Sequence, residues 1–185
     1  MRFSRMLLLS LFVLFVSTQI FSMGEISPVD KGLKAEIINE LKDAESKIAT
    51  LANDIPQAKY TWRPEDGVRS VSEVILHVAG ANYFFLSFLG IKMPDGAKMD
   101  SDFDKKTTNK EEILEFVKKS YSFTYDKIMS LKDKDLEKSV DFFGMKLTTR
   151  QLMIKAVGHN HEHLGQLIAY ARMNGVTPSW SKKGN

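Results

Sequence analysis

The sequence contains four histidines, and three of them, His159, His161 and His163, fall in the short run Gly158 to Gln166. At about 100° per residue, positions four apart share one side of a helix, so His159 and His163 stack one turn apart while His161 points the other way. Leu152, Ala156, Leu167 and Tyr170 occupy the same side, so the imidazole pair projects from an apolar stripe. Two imidazoles facing one another in a dry interior have inward ring nitrogens to satisfy. A divalent cation does so, and so would a hydrogen-bonded core pair; the spacing alone leaves both open. A third ligand is expected from a neighbouring helix. His77 supplies it, on a helix side shared with Ala81, Phe84 and Phe88.

His77, His159 and His163 together leave a coordination position open for water or substrate, the arrangement of a ligand-exchanging site more than of a closed structural one. The chemistry expected there is activation of water near neutral pH for attack on a carbonyl or phosphoryl centre. The imidazoles must be neutral to ligate, so acid is expected to release the ion. Gln166, three residues after His163, is placed to orient a ligand or to face the cavity. Tyr170 is read as a core aromatic with a hydroxyl available to the cavity, and Glu162 as a solvated carboxylate before an acid or base. Gly158 and Gly165 are costly inside a helix, and a closely approaching helix or ligand is their expected reason.

Four helical segments must position these residues. The first is predicted from about Pro28 to Asn53, capped by Ser27, with Leu33, Ile37, Leu41, Ile48 and Leu51 in helical period. The second runs from about Ser70 to Leu89, with a capping box of Ser70 and Glu73 and a buried stripe that includes Val71, Val74, Ile75, Val78 and Phe85. The third spans about Asn109 to Leu131 behind a box of Thr108 and Glu111. The fourth spans about Thr148 to Asn174, opened by Thr148 and Gln151 and closed by Gly175. Long connections at 54–69 and 90–108 permit crossovers, so a simple up-down-up-down order is not required. Ser139 to Leu147 alternates around Gly144 and reads equally as a short hairpin or a loop.

The composition, 43% hydrophobic and 26% charged, is that of one ordered globular domain. Basic and acidic residues nearly balance, at 26 and 23, and form no dense basic block, so nucleic-acid binding is not indicated. With no cysteine in the chain, disulfides, thiolate ligands and a cysteine nucleophile are excluded, and a metal must rest on nitrogen and oxygen. Residues 1–24 read as a secretory signal peptide: Arg2 and Arg5, the apolar run Met6 to Phe15, then the smaller and more polar stretch up to Gly24. A periplasmic or extracellular location follows, with no membrane attachment once the leader is removed. Residues 181–185 read as a disordered tail.

A histidine late in the second helix followed by the pattern His159, His163, Gly165 and Gln166 in the fourth resembles the DinB-like superfamily of metal-dependent proteins. The approach segment Trp62, Arg63, Pro64, Gly67, Arg69 and Ser70 and the ending Ala171 to Trp180 resemble that family too, so the likeness covers about 28–180. The resemblance implies an all-α, four-helix bundle in up-down-down-up order, with zinc or nickel on His77, His159 and His163. It does not fix the reaction, since relatives include isomerases and transferases that use small cellular thiols. Export counts against thiol chemistry, because such cosubstrates are mainly cytosolic. The expected function is therefore a metal-dependent hydrolase acting on a small-molecule substrate. A non-catalytic metal- or ligand-binding bundle and a thiol-dependent transferase are the alternatives, and oligomeric state is left open, a homodimer included.

Overall fold

The computed structural model describes residues 32–97 and 102–182. Both the leader read over 1–24 and the start of the first helix at Ser27 and Pro28 lie outside the described residues, as do 183–185 of the tail.

Four helices carry the chain: α1 Leu33–Asp54, α2 Val71–Ser87, α3 Lys110–Ser130 and α4 Thr149–Met173, with a hairpin of β1 Ser139–Phe142 and β2 Met145–Thr148 before α4. The local signals explain most of the boundaries. The Ser70 hydroxyl accepts from Glu73 N while the Glu73 carboxylate accepts from Ser70 N, closing the capping box of α2. Thr148 and Gln151 do the same for α4. At α3 the cap is Asn109, whose Oδ1 accepts from Glu112 N at 3.0 Å, and not Thr108. Asparagine is the stronger cap, and Thr107 Oγ1 fixes the Asn109 backbone by accepting its N–H.

Contacts along the helices set their directions. The start of α1 meets the end of α3 through Lys34 and Leu131, and its end meets the start of α3 through Asn53, Ile55 and Lys110, so the two are antiparallel. Asn82 touches Ser120 and Tyr83 packs on Phe123, placing α2 parallel to α3. Glu40 beside His161, and Asp54 bonded to Ser179 just beyond α4, make α1 and α4 parallel. The order is therefore up-down-down-up, with α2 and α4 antiparallel neighbours.

The main core gathers Leu41, Ile48 and Leu51 of α1, Val74, Ile75 and Val78 of α2, Ile113 and Val117 of α3, and Leu164 and Leu167 of α4. Burying such side chains is the dominant stabilising term. The α2 helix departs from the single stripe expected of it: from Val74 to Tyr83 every residue is buried. The cause is packing on three sides, by α3, by α4 and by the 3-10 turn Phe103–Lys105. His77 is thereby drawn inside. No helix among the described residues is long and apolar enough to cross a membrane.

Candidate metal centre

The antiparallel packing of α2 on α4 brings His77 against His159 and His163. One ligand nitrogen from each lies within 4.8 Å of the others. The Nε2 atoms of His77 and His159 are 3.1 Å apart, and the His163 ring sits 4.7 Å from His77 and 4.5 Å from His159, centroid to centroid. His161 is elsewhere, 3.4 Å from Glu40 on the α1 side. The three residues expected to act together are together, and the fourth is not.

Each supporting contact has a chemical consequence. His163 Nδ1 is 2.8 Å from Gln166 Oε1, an oxygen that only accepts, so Nδ1 carries the proton and Nε2 keeps its lone pair. Gln166 then donates to the Tyr170 hydroxyl at 2.9 Å, and that hydroxyl donates to the Arg69 carbonyl at 3.2 Å. Tyr170 is buried, so it is a core aromatic whose hydroxyl braces Gln166. On the other side, Asp104 Oδ2 lies 3.4 Å from His77 Nδ1 and 2.7 Å from Arg69 Nε. The longer contact is an electrostatic one more than a full hydrogen bond, and His77 Nδ1 makes no other. It still favours the tautomer that leaves His77 Nε2 unprotonated, as outer carboxylates do for metal-ligating histidines.

The electrostatics suit a neutral nitrogen donor set. Burial, then the charges of neighbouring His163 and His77, push the His159 imidazole down to about 4. His163 is lowered too, mainly by burial, against the opposing bond to Gln166. Burial alone would raise the Asp104 carboxyl, but its contacts with His77 and Arg69 outweigh that and hold it below the usual carboxylate range. Asp104 is therefore ionised at neutral pH and orients without taking up a proton.

These residues fit a divalent ion. Two nitrogens each about 2.0–2.1 Å from a tetrahedral zinc are separated by roughly 3.3 Å, and the His77 to His159 spacing of 3.1 Å is close to that. Among the described residues the converging group is three imidazoles, a donor set that suits zinc, nickel, copper or iron.

The family can be read independently. A sequence model of the DinB superfamily matches residues 40–167. The chain belongs to the DinB superfamily. Among relatives of this DinB chain, YjoA of Bacillus subtilis strain 168, an uncharacterised protein, is 28% identical over 131 residues, covering 69% of this chain and 81% of YjoA. A DinB-like protein from Bacillus cereus ATCC 10987 superposes with a TM-score of 0.67 at 19% identity, over 77% of this chain and 93% of that one. YfiT from Bacillus subtilis, described as a probable metal-dependent hydrolase with an unusual four-helix bundle topology, matches with a TM-score of 0.63 at 17% identity, over 84% and 97%. At these identities the solved structures bear on the DinB fold, which is the bundle found here.

Two features of the site were not visible in the sequence. Asp104 sits in a connection with no periodicity to single it out. A buried polar cluster lies beside the triad: Asn160 donates to Asn82 Oδ1 at 3.1 Å and accepts from the Tyr121 hydroxyl, and Asn82 donates to Ser120. An asparagine on an otherwise apolar helix side was the only signal for it. Gly158 and Gly165 correct an expectation. Both are exposed, and a Cβ at either would meet nothing within 4 Å, so no helix among the described residues closely approaches them.

Proposed function

We propose that this chain is a metal-dependent hydrolase of small molecules, with His77, His159 and His163 as ligands of one divalent cation, zinc or nickel. The observation that carries the reading is the convergence of three imidazoles, with His77 and His163 each braced from behind, by Asp104 and Gln166. A divalent ion on such a set supplies Lewis acidity and a nucleophile drawn from solvent at neutral pH. The protein's part is to hold His159 and His163 neutral by burial and to fix the tautomers of His77 and His163.

The leader read in residues 1–24 supports export, and we propose a periplasmic or extracellular location. Small-thiol cosubstrates are then out of reach, which favours hydrolysis over thiol transfer. The description of YfiT as a probable metal-dependent hydrolase points the same way.

The test is elemental analysis of protein purified without a histidine tag, followed by assay on ester, amide and phosphoester panels beside His159→Ala. About one ion per chain, with activity lost in the variant, is the expected result. Folded protein that takes up no ion would overturn the metal site. Stoichiometric ion without turnover on any panel would leave a metal-binding bundle in place of an enzyme.

A further inference from the structure

The hairpin ahead of α4 turns through two residues, Phe143 at φ 52 and Gly144 at φ 82. A tight turn with both central residues at positive φ favours Asn-Gly, because asparagine tolerates the left-handed region and a bulky side chain does not. Phenylalanine here is a backbone outlier, and burial does not compensate it, since the residue is 71% exposed. Neither turn stability nor the core accounts for this side chain. Strain of that kind, held in place by its surroundings, is a mark of functional positions.

Its surroundings point to the function. The Phe143 ring lies 5.4 Å from Phe88, 6.0 Å from Phe84 and 4.9 Å from Phe142. Phe142 stacks on Phe85 at 5.8 Å, and Phe85 meets the His159 ring at 5.5 Å, so the cluster reaches a candidate metal ligand without a break. Phe84 follows His77 by two helical turns on the same side of α2. Arg69 lies on the opposite side of the triad, tied to Asp104. The triad is thus flanked by the charged pair of Arg69 and Asp104 on one side and by the aromatic cluster on the other.

We infer that Phe84, Phe88 and Phe143 form an apolar subsite that takes the hydrocarbon part, an acyl chain or an aromatic ring, of a substrate whose polar end sits at the triad. The inference rests on the metal-centre reading above and adds the substrate class. The hairpin tip is then a specificity element, its strained turn setting the Phe143 ring against Phe84 and Phe88.

Calorimetric binding of acetohydroxamate and hexanohydroxamate to the zinc-loaded protein tests it. Acetohydroxamate reports the ion alone, and the four additional methylenes report the subsite. Wild type is expected to prefer hexanohydroxamate by about tenfold or more. Phe143→Asn is expected to cut that preference to about threefold or less, leave acetohydroxamate unchanged, and melt at the same or a higher temperature because the turn is relieved. Phe84→Ala supplies a second variant on the helix side of the subsite. Equal affinities in wild type, or a preference that survives in both variants, would overturn the subsite. If acetohydroxamate fails to bind the zinc-loaded wild type, it is the metal centre that falls, and the subsite with it.

Discussion

Asp104 and His77 approach each other from separate elements, the carboxylate oxygen of the 3-10 turn standing 3.4 Å from the Nδ1 of a histidine in mid-α2. Arg69 holds the same oxygen at 2.7 Å, so the carboxylate is fixed before any ion binds. Removing an outer partner of this kind typically costs 10- to 100-fold in metal affinity. Asp104→Ala is therefore expected to weaken ion binding by about that factor while the bundle stays folded. Competition against a chelator of known affinity measures it, and an unchanged affinity would make Asp104 merely a surface partner of Arg69.

Asn160 is fully buried and holds Asn82 and Tyr121 across three helices. Replacing it with leucine strands the tyrosine hydroxyl and one asparagine carbonyl away from water. The expected loss is on the order of 2–4 kcal/mol, since each orphaned buried group costs about 1–3 kcal/mol. Chemical denaturation of metal-free protein reads the change without interference from the ion. A loss below about 1 kcal/mol would mean that water satisfies the stranded groups.

What the sequence made legible depended on periodicity. The capping boxes of Ser70 and Thr148 and the i, i+4 spacing of His159 and His163 are local signals, and the structure reproduces each. Asp104 was invisible because its partner, His77, is brought to it by tertiary packing of a connection. The polar cluster around Asn160 escaped for a related reason: three helices must meet before its hydrogen bonds exist. Thr108 and Asn109 are adjacent capping residues that compete, and only the turn before the helix decides between them. Alternation in 139–147 could not separate hairpin from loop, since Phe-Gly is a poor turn pair by local preference.

Gly158 and Gly165 sit in α4 with open space where a side chain would go. Alanine at either position is expected to raise stability by about 0.5–1 kcal/mol, through helix propensity and a less flexible unfolded chain. Metal content should not change. A variant that is more stable but turns over more slowly would show that the gap serves ligand approach, and melting curves beside activity separate the two results.

Acid should destabilise the metal-free protein through the triad. The His159 imidazole titrates at about 4 when folded, against an ordinary value of 6.5. Between those values the unfolded chain binds a proton that the folded chain refuses, so stability falls as pH drops through that window. It is fully retained above the unfolded value. His163, lowered in the same direction by burial, adds to the slope. The expected loss from pH 7 to pH 5 is on the order of 1–2 kcal/mol for His159 alone, at about 1.4 kcal/mol per fully effective pH unit. His159→Leu should flatten the dependence, because leucine carries no proton to gain on unfolding. Bound metal should steepen it, since the ion requires all three imidazoles neutral and is displaced by the same protons. Urea denaturation at a series of pH values, with and without metal, measures both effects. A metal-free profile that is level between pH 7 and pH 5 would show that His159 is not held neutral by burial.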